Sequence, residues 1–373
     1  MNPIIKWPGG KSREIDKIRP LIPEYERYVE PFFGGGALFF YLQPKNAVIN
    51  DVSESLIQYY NLIKTQDRDL YTLLMCYNNS FNNIVNVCSK ESSFLLDTFF
   101  KLKGGEISKN DLSVTLKALI SSLSIKINSG FTEKLLLNRI AFEKTLLRMT
   151  EDKFIRTVIN YNKQSFSNED LIENLLTGFT SGYYMYFRQV FNDINLGKIK
   201  DQSIQYKAAN FYFISEYCYG SMFRYNSKGE FNIPYGGMSY NRKNMQTKID
   251  AMFNREIATL FSGTEIYCSD FENFFDNVHL TSKDFMFIDP PYDTDFSDYE
   301  GKDFTKFDQE RLAYNLKKTK AKFLLVIKNT DFIHKLYEQD FTTICFDKQY
   351  TYNVRSRNNR DVEHLIITNI SNL

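Results

Sequence analysis

Asp289-Pro290-Pro291-Tyr292 closes the apolar run FMFI, and its residue types suit one task. The prolines fix the backbone and remove two N–H donors, leaving carbonyl acceptors beside a carboxylate and an aromatic ring. An exocyclic NH2 group fits there: Asp289 and the Pro290 carbonyl accept its two hydrogens while Tyr292 stacks on its ring. The bland reading is a strand-ending turn with a packed tyrosine, which the specificity of the tetrapeptide disfavours. A second group is Glu30-Pro-Phe-Phe-Gly34-Gly35-Gly36. Glycines directly after a strand permit a tight turn and close approach of a ligand, with helix N-terminal amides behind them. The spacing is not G-x-G-x-x-G, and no Gly-Lys-Ser/Thr follows, so a triphosphate is disfavoured. Asp51, in VIND, stands where a ribose hydroxyl could be held. A tight turn with a capping Asp explains this pair equally well. The third group, Lys6-Trp7-Pro8-Gly9-Gly10-Lys11, sets the only Trp between two lysines in a glycine turn. That suits a cationic, aromatic lip over a carboxylate or phosphate; taken alone, a solvated basic loop explains it better.

The elements that must carry these groups are legible from hydrophobic period. From Arg27 to about Lys64 the pattern is strand (YVEPFF), glycine turn, helix (GGGALFFYL), strand (AVIND), helix. From about Thr65 to Gly220 it is almost entirely helical. Ser108 to Asp111 caps LSVTLKALISSL, FTEKLLLNRIAFEKTLLRM has apolar residues at helical spacing, and Asn168 caps EDLIENLL. YNSKGEFNIPYGG, between Arg224 and Gly237, is rich in turn residues and predicts a hairpin or structured loop. Strands return in EIYCSD, DFMFID, KFLLVIKN, TTICFDKQY and EHLIITN. Strands alternating with helices at both ends predict an α/β fold, a doubly wound parallel sheet into which the helical middle is inserted.

Composition narrows the chemistry. Lys plus Arg number 46 against 45 Asp plus Glu, so any nucleic-acid binding must come from local basic patches. Arg224, Lys228, Arg242, Lys243 and Lys248 lie around the predicted hairpin, and Arg355, Arg357 and Arg360 in one late loop; the stretch Asp293, Asp295, Asp298, Glu300, Asp303 would repel phosphate and is expected to be a mobile loop near the site or to face away from DNA. The 33 Phe and 25 Tyr exceed what a core needs and leave rings for stacking on a base or cofactor. Five scattered Cys without a C-x-x-C pair and three isolated His argue against a metal site, a disulfide framework or Ser-His catalysis. No apolar run approaches the ~20 residues that span a membrane, and no signal-peptide core is present, which implies a cytoplasmic protein.

Together and in this order, KWPGGK, EPFFGGGALFF, VINDVSESLI, FRYNSKGEFNIPYGG, SDFENFF, FIDPPY, IKNTDFIHKLY and RSRNNRDVEHLIITN resemble the Dam-type (D12 class, alpha-ordered) DNA adenine-N6 methyltransferases. The resemblance implies a Rossmann-like methyltransferase sheet, residues 1–64 plus 250–373, that binds S-adenosylmethionine. Residues 65–249 would be a mainly helical insertion and target-recognition domain, with a DNA-reading hairpin at about 219–237. Lys6, Trp7, Gly9 and Lys11 match the part bordering the methionine end of the cofactor and the nearby DNA. Glu30, Pro31, Phe32, Gly34 and Gly36 match the cofactor loop, Asp51 the ribose-side acid, and Asp270 with Phe271 the pair beside the cofactor's adenine. Asp289, Pro290, Pro291 and Tyr292 match the catalytic tetrapeptide, where Asp at the first position is usual for adenine and Ser commoner for cytosine N4. Tyr219, Met222, Arg224, Asn232 and Pro234 match the recognition hairpin, in which an Arg reads guanine and an aromatic residue wedges into the opened stack; Lys228, Arg242, Arg355 and Arg357 would add DNA contacts.

The implied reaction is methyl transfer to N6 of an adenine flipped out of duplex DNA, without a metal, leaving S-adenosylhomocysteine. The hairpin implies a short GA-containing, GATC-like site; Gly220 departs from that pattern, standing where many GATC-reading members carry Asn. A restriction-modification setting, with a cognate endonuclease, and a solitary role in a bacterium or phage both fit. The helical stretch at about 77–180 exceeds a minimal member; an extended DNA footprint, dimerisation and a buttress for the fold all fit it, with DNA or protein contact slightly favoured. Competing readings are methylation of cytosine N4, RNA adenine or a protein glutamine, a catalytically silent DNA binder, and a nicotinamide-dependent dehydrogenase.

Overall fold

The apolar runs at both ends of the sequence form the strands of one sheet in the computed structural model, which describes residues 1–132, 134–291, 298–299, 302–349 and 361–371. In chain order these are β1 (Arg27–Glu30), β2 (Ala47–Asp51), β3 (Thr264–Cys268), β4 (Asp284–Ile288), β5 (Lys322–Lys328), β6 (Thr342–Gln349) and β7 (Asp361–Thr368). The seven strands lie in the order β3-β2-β1-β4-β5-β7-β6. Pairing is parallel from β3 through to β5, whereas β7 runs antiparallel to both β5 and β6. The expected doubly wound, Rossmann-like sheet is therefore present, with an antiparallel edge added by the C-terminal hairpin. Every residue of β4 and Phe323–Ile327 of β5 are buried, the pattern of central strands covered on both faces. The edge strand β3 buries only Thr264. On one face Val29, Val48, Met286, Ile288, Leu325 and Ile327 pack with Phe274, Leu312, Leu316 and Ile333 of the covering helices.

The chain divides into two units. The first comprises Met1–Thr65, Phe223–Tyr225 and Arg255–Leu373 and holds the sheet; the second comprises Gln66–Met222 and Asn226–Asn254. The second unit is built on the helices Arg68–Ser89, Ser92–Gly104, Lys109–Asn128, Arg139–Tyr161, Asn168–Asn195 and Ile204–Tyr217. Gly178 and Gly182, one turn apart on Asn168–Asn195, let Thr150 and Leu146 of Arg139–Tyr161 approach backbone to backbone; an added Cβ would stand 2.8 Å from either Cα. Much of the aromatic excess is structural. Tyr77 stacks on Phe213 at 4.9 Å, and Phe81 meets Tyr217 at 4.5 Å in this unit's core. The buried hydroxyls of Tyr77 and Tyr183 find partners in Asn210 and Ser80.

Helix boundaries refine the sequence reading. Ser108 and Asp111 form the expected reciprocal capping box. The cap of the longest helix is Ser167, whose hydroxyl receives the Asp170 amide, and Asn168 is already its first residue. The helix expected from FTEKLLLNRIAFEKTLLRM starts only at Arg139, behind the cap Asn138. Of the acidic stretch, Asp293, Asp295 and Glu300 lie outside the described residues, while the backbones of Asp298 and Asp303 pair in a two-residue antiparallel ladder.

Candidate functional site

Parallel pairing brings the carboxyl ends of β1, β2, β3 and β4 to the same edge of the sheet, and the strand order reverses at β1, between β2 and β4. That is where doubly wound sheets open a ligand crevice. A cavity of about 290 Å³ lies there, within the first unit. Its wall contains Trp7, Gly9, Lys11, Glu30, Pro31, Phe32, Gly34, Gly36, Asp51, Asp270, Phe271, Asp289, Pro290 and Pro291, all singled out from sequence. Lys6 is half-buried and is not part of that wall. Tyr292, Arg355 and Arg357 lie outside the described residues.

Two glycines make the turn after β1 possible. Gly34 (φ 48°) and Gly36 (φ 63°) occupy the left-handed region, and a Cβ on Gly34 would sit 2.7 Å from Trp7 Cδ1. Trp7 thus lies directly against the glycine turn, and its indole also meets the Phe223 ring at 4.9 Å. The turn's amides are partly committed internally: Gly34 donates to Asp51 Oδ2 at 2.8 Å and Gly36 to the Phe33 carbonyl. Asp51 also receives the Ser53 amide on Oδ1 at 2.9 Å. Burial raises the Asp51 pKa, and those amide bonds oppose the shift. Each carboxylate oxygen keeps acceptor capacity, so a ligand hydroxyl can still be received.

Asn50, one residue earlier, was not singled out from sequence. Its Nδ2 donates to the carbonyls of Pro31 and Ser269, both at 3.0 Å, and its Oδ1 accepts from the Ser269 amide and hydroxyl. One buried side chain thereby ties together the ends of β1, β2 and β3.

At the β1/β4 switch the charges are concentrated. Lys11 is buried, its ammonium paired with Asp289 and donating to the Gly9 carbonyl at 3.2 Å. Glu30, also buried, accepts the Tyr28 hydroxyl at 2.8 Å. Burial, reinforced by the Asp289 and Asp51 charges, holds the Glu30 pKa well above the usual carboxylate range. Such a group keeps its proton in the folded chain at pH values where the unfolded chain has lost it. Stability from Glu30 is therefore full below the unfolded-chain pKa and lost as pH rises towards the folded one. Glu30→Gln is expected to melt higher than wild type at pH 8 and to converge with it near pH 4, as read by thermal unfolding. A pH-independent difference would contradict this assignment.

The far wall is aromatic and acidic. Phe32, Phe271 and Phe304 meet pairwise at 5.4–5.8 Å. Asp270 caps the helix Phe271–Asn277. Phe304 and Asp308 also face the cavity and carried no signal in the sequence. Among the described residues, Lys11 is the only basic one of the wall, against Glu30, Asp51, Asp270, Asp289 and Asp308.

The recognition-hairpin residues Tyr219, Met222, Asn232 and Pro234 belong to the second unit, as do Lys228 and Arg242; Arg224 belongs to the first. Asn226 builds the turn, its Oδ1 accepting the Lys228 and Glu230 amides. The returning segment alternates, with Phe231, Ile233 and Tyr235 buried and Asn232 and Pro234 on the other side. Tyr184, Arg188 and Asn192 of the longest helix bind its carbonyls at Ile233 and Phe231. Gly220 and Ser221 both take positive φ beside the half-exposed Tyr219. Arg224 and Lys228 are exposed. The other cations of the expected patch are committed elsewhere: Lys243 and Lys248 both pair with buried Glu216, and Arg242 with Glu173. Burial pushes Glu216 up, but the two ammonium groups outweigh it and hold its pKa below the usual value.

The model of the D12 class N6 adenine-specific DNA methyltransferases matches this chain over residues 7–175 and 152–352. The chain belongs to that family. It is 25% identical to the type II methyltransferase M.CviBI of Paramecium bursaria Chlorella virus NC1A, over 99% of this chain and 100% of the other. It is 26% identical to the type II methyltransferase M.MjaIII of Methanocaldococcus jannaschii, over 91% and 88% of the two chains. The type II methyltransferase M1.LlaDCHI of Lactococcus lactis subsp. cremoris is 24% identical over 100% and 96%. Such matches place the helical stretch at 77–180 inside a length shared with other methyltransferases. This D12-class enzyme therefore acts on DNA adenine, and among its described residues no helix is long and apolar enough to cross a membrane.

Proposed function

We propose that this methyltransferase moves the methyl group of S-adenosylmethionine to N6 of an adenine flipped out of duplex DNA, at a short site containing GA. One observation carries the reading: among the described residues, the cavity at the β1/β4 switch sets four aspartates, Glu30 with its neutral form favoured, and one ammonium around aromatic rings. Such a wall favours a cationic ligand and disfavours phosphates, so a nicotinamide dinucleotide or a nucleoside triphosphate fits poorly. It suits a sulfonium compound with a nucleoside end: Asp51 for a ribose hydroxyl, Phe32, Phe271 and Asp270 for the base, and Glu30, Trp7 and Lys11 for the amino-acid end.

When bound there, S-adenosylmethionine supplies an electrophilic methyl carbon. The chain's own task is to hold the acceptor. Asp289 and the Pro290 carbonyl receive the two amino hydrogens, which draws the N6 lone pair out of conjugation and aims it at the methyl carbon. Asp289 would also take up the proton that N6 loses on methylation and pass it to solvent. Lys11 pairs with Asp289 and orients it, so the acceptor is set before the base arrives. Arg224 reads a guanine edge and Tyr219 or Met222 fills the opened stack, offsetting part of the few kcal/mol that base extrusion costs. A cognate restriction endonuclease would be the partner in a restriction-modification setting.

Trp7 is the only tryptophan, and it lines the cavity, so intrinsic fluorescence reports binding there directly. Titration with S-adenosylmethionine is expected to change Trp7 emission saturably, and NAD to leave it unchanged. Saturable binding of NAD, with none of S-adenosylmethionine, would overturn the reading.

A further inference from the structure

Arg311 faces the back of the cavity's aromatic and acidic wall. It lies on the helix Lys306–Lys318, in a segment with no recognisable motif, and is not part of the cavity lining. Its Nη2 donates to Asp270 Oδ1 and to Glu272 Oε2, both at 2.7 Å, its Nε to Glu272 Oε2 at 3.0 Å, and its Nη1 to Asp308 Oδ1 at 2.8 Å. The guanidinium also lies over the Phe271 ring, 4.7 Å from its centroid. One planar cation thus touches three members of the wall at once: Asp270, Phe271 and Asp308.

We propose that Arg311 is a positioning residue for the cofactor's nucleoside end, a proposal that rests on the function given above. Its action follows from where the bonds fall on Asp270. That carboxylate receives the Glu272 amide on Oδ1 at 2.9 Å, and Arg311 on the same oxygen. Two donors on one oxygen fix the rotamer and leave Oδ2 as an oriented acceptor for an amino or hydroxyl hydrogen of a ligand in the cavity. The same guanidinium presses on Phe271 from the side and holds Asp308 Oδ1, while Thr305 occupies the other oxygen of Asp308 through its amide and hydroxyl. Without Arg311, three carboxylates would stand together with no cation between them, and each would turn towards solvent. Lysine cannot replace it, because a single ammonium cannot bond three carboxylates and stack on a ring at once.

The test is kinetic and uses the full chain with S-adenosylmethionine and duplex DNA. Arg311→Gln and Arg311→Lys are both expected to raise KM for S-adenosylmethionine about tenfold, the cost of one hydrogen bond to a charged group. Both should leave kcat and KM for DNA close to wild type, the signature of lost uniform binding. Trp7 fluorescence titration should give the same weakening. Combining Arg311→Gln with Asp270→Asn should weaken binding by less than the two single changes added together, because part of the Arg311 effect passes through Asp270. Glu272→Gln slackens the guanidinium from outside the cavity, so it keeps the proposal testable if the Arg311 variants fold poorly, and it is expected to raise the same KM severalfold. Wild-type protein that binds S-adenosylmethionine, with Arg311→Gln or Glu272→Gln binding it equally tightly, would overturn this proposal alone. Wild-type protein that does not bind S-adenosylmethionine would overturn the function on which it rests.

Discussion

Replacing Asp289 with alanine is expected to lower methyl transfer by ~10³-fold or more, the scale of losing a principal electrostatic contact to the reacting group. The argument is local. Asp289 follows the fully buried strand β4, its backbone is fixed by two prolines, and its carboxylate is already aligned by buried Lys11. Alanine removes the acceptor for one amino hydrogen, so N6 stays conjugated with its ring and the lone pair faces the wrong way. Asparagine keeps one acceptor oxygen but turns an NH2 towards Lys11 or the substrate amine, and should restore little. Neither change touches Asp51, Asp270 or the aromatic wall, so affinity for S-adenosylmethionine should stay within a few-fold of wild type. Initial rates with labelled methyl, beside a Trp7 titration, separate the two effects. Near-normal turnover by the alanine variant would remove Asp289 from the chemistry.

The second large effect is expected at Arg224. Arginine reads guanine through two parallel hydrogen bonds to O6 and N7, so Arg224→Ala should cost ~1–3 kcal/mol of discrimination at one guanine of the site. The loss should appear as a narrowed ratio between rates on cognate duplexes and on duplexes with that guanine replaced. Structure bears on this choice among the cations near the hairpin. Lys243 and Lys248 neutralise Glu216, and Arg242, exposed like Arg224, is paired with Glu173; Arg224 lies in the segment between Tyr219 and the Asn226 turn. Equal rate losses on every sequence would instead make Arg224 a phosphate contact.

What was legible in the sequence was what is local. EPFFGGG, VIND and FIDPPY each follow an apolar strand directly, so a short window carries both the strand and the group at its end. Parallel pairing then brings those ends together at the cavity. The components that escaped depend on distance. Asn50 matters because it bridges to Ser269, 219 residues away, and Arg311 because it reaches Asp270 and Glu272, 41 and 39 residues back. Neither bridge leaves a spacing to read. The pairing within the expected basic patch escaped for the same reason: Glu216 sits 27 and 32 residues before the lysines that neutralise it, in a helix whose burial on all sides the sequence does not announce. Local rules can also compete. Ser167 and Asn168 are both good caps, and the structure selects the one whose side chain reaches the Asp170 amide. The aromatic excess offered rings for stacking, yet most of those described pack into the two cores, and Trp7, Phe32, Phe33, Phe271, Phe287 and Phe304 line the cavity.

The central claim is methyl transfer to adenine N6 at a defined DNA site, and the most direct measurement is made on DNA itself. The chain is expressed in a host without DNA methylation, and its genome is read by single-molecule sequencing for modified bases. The expected result is N6-methyladenine at one recurrent short motif containing GA, absent when Asp289→Ala is expressed at the same level. Modified cytosine, or no modified base while the folded protein binds S-adenosylmethionine, would contradict it.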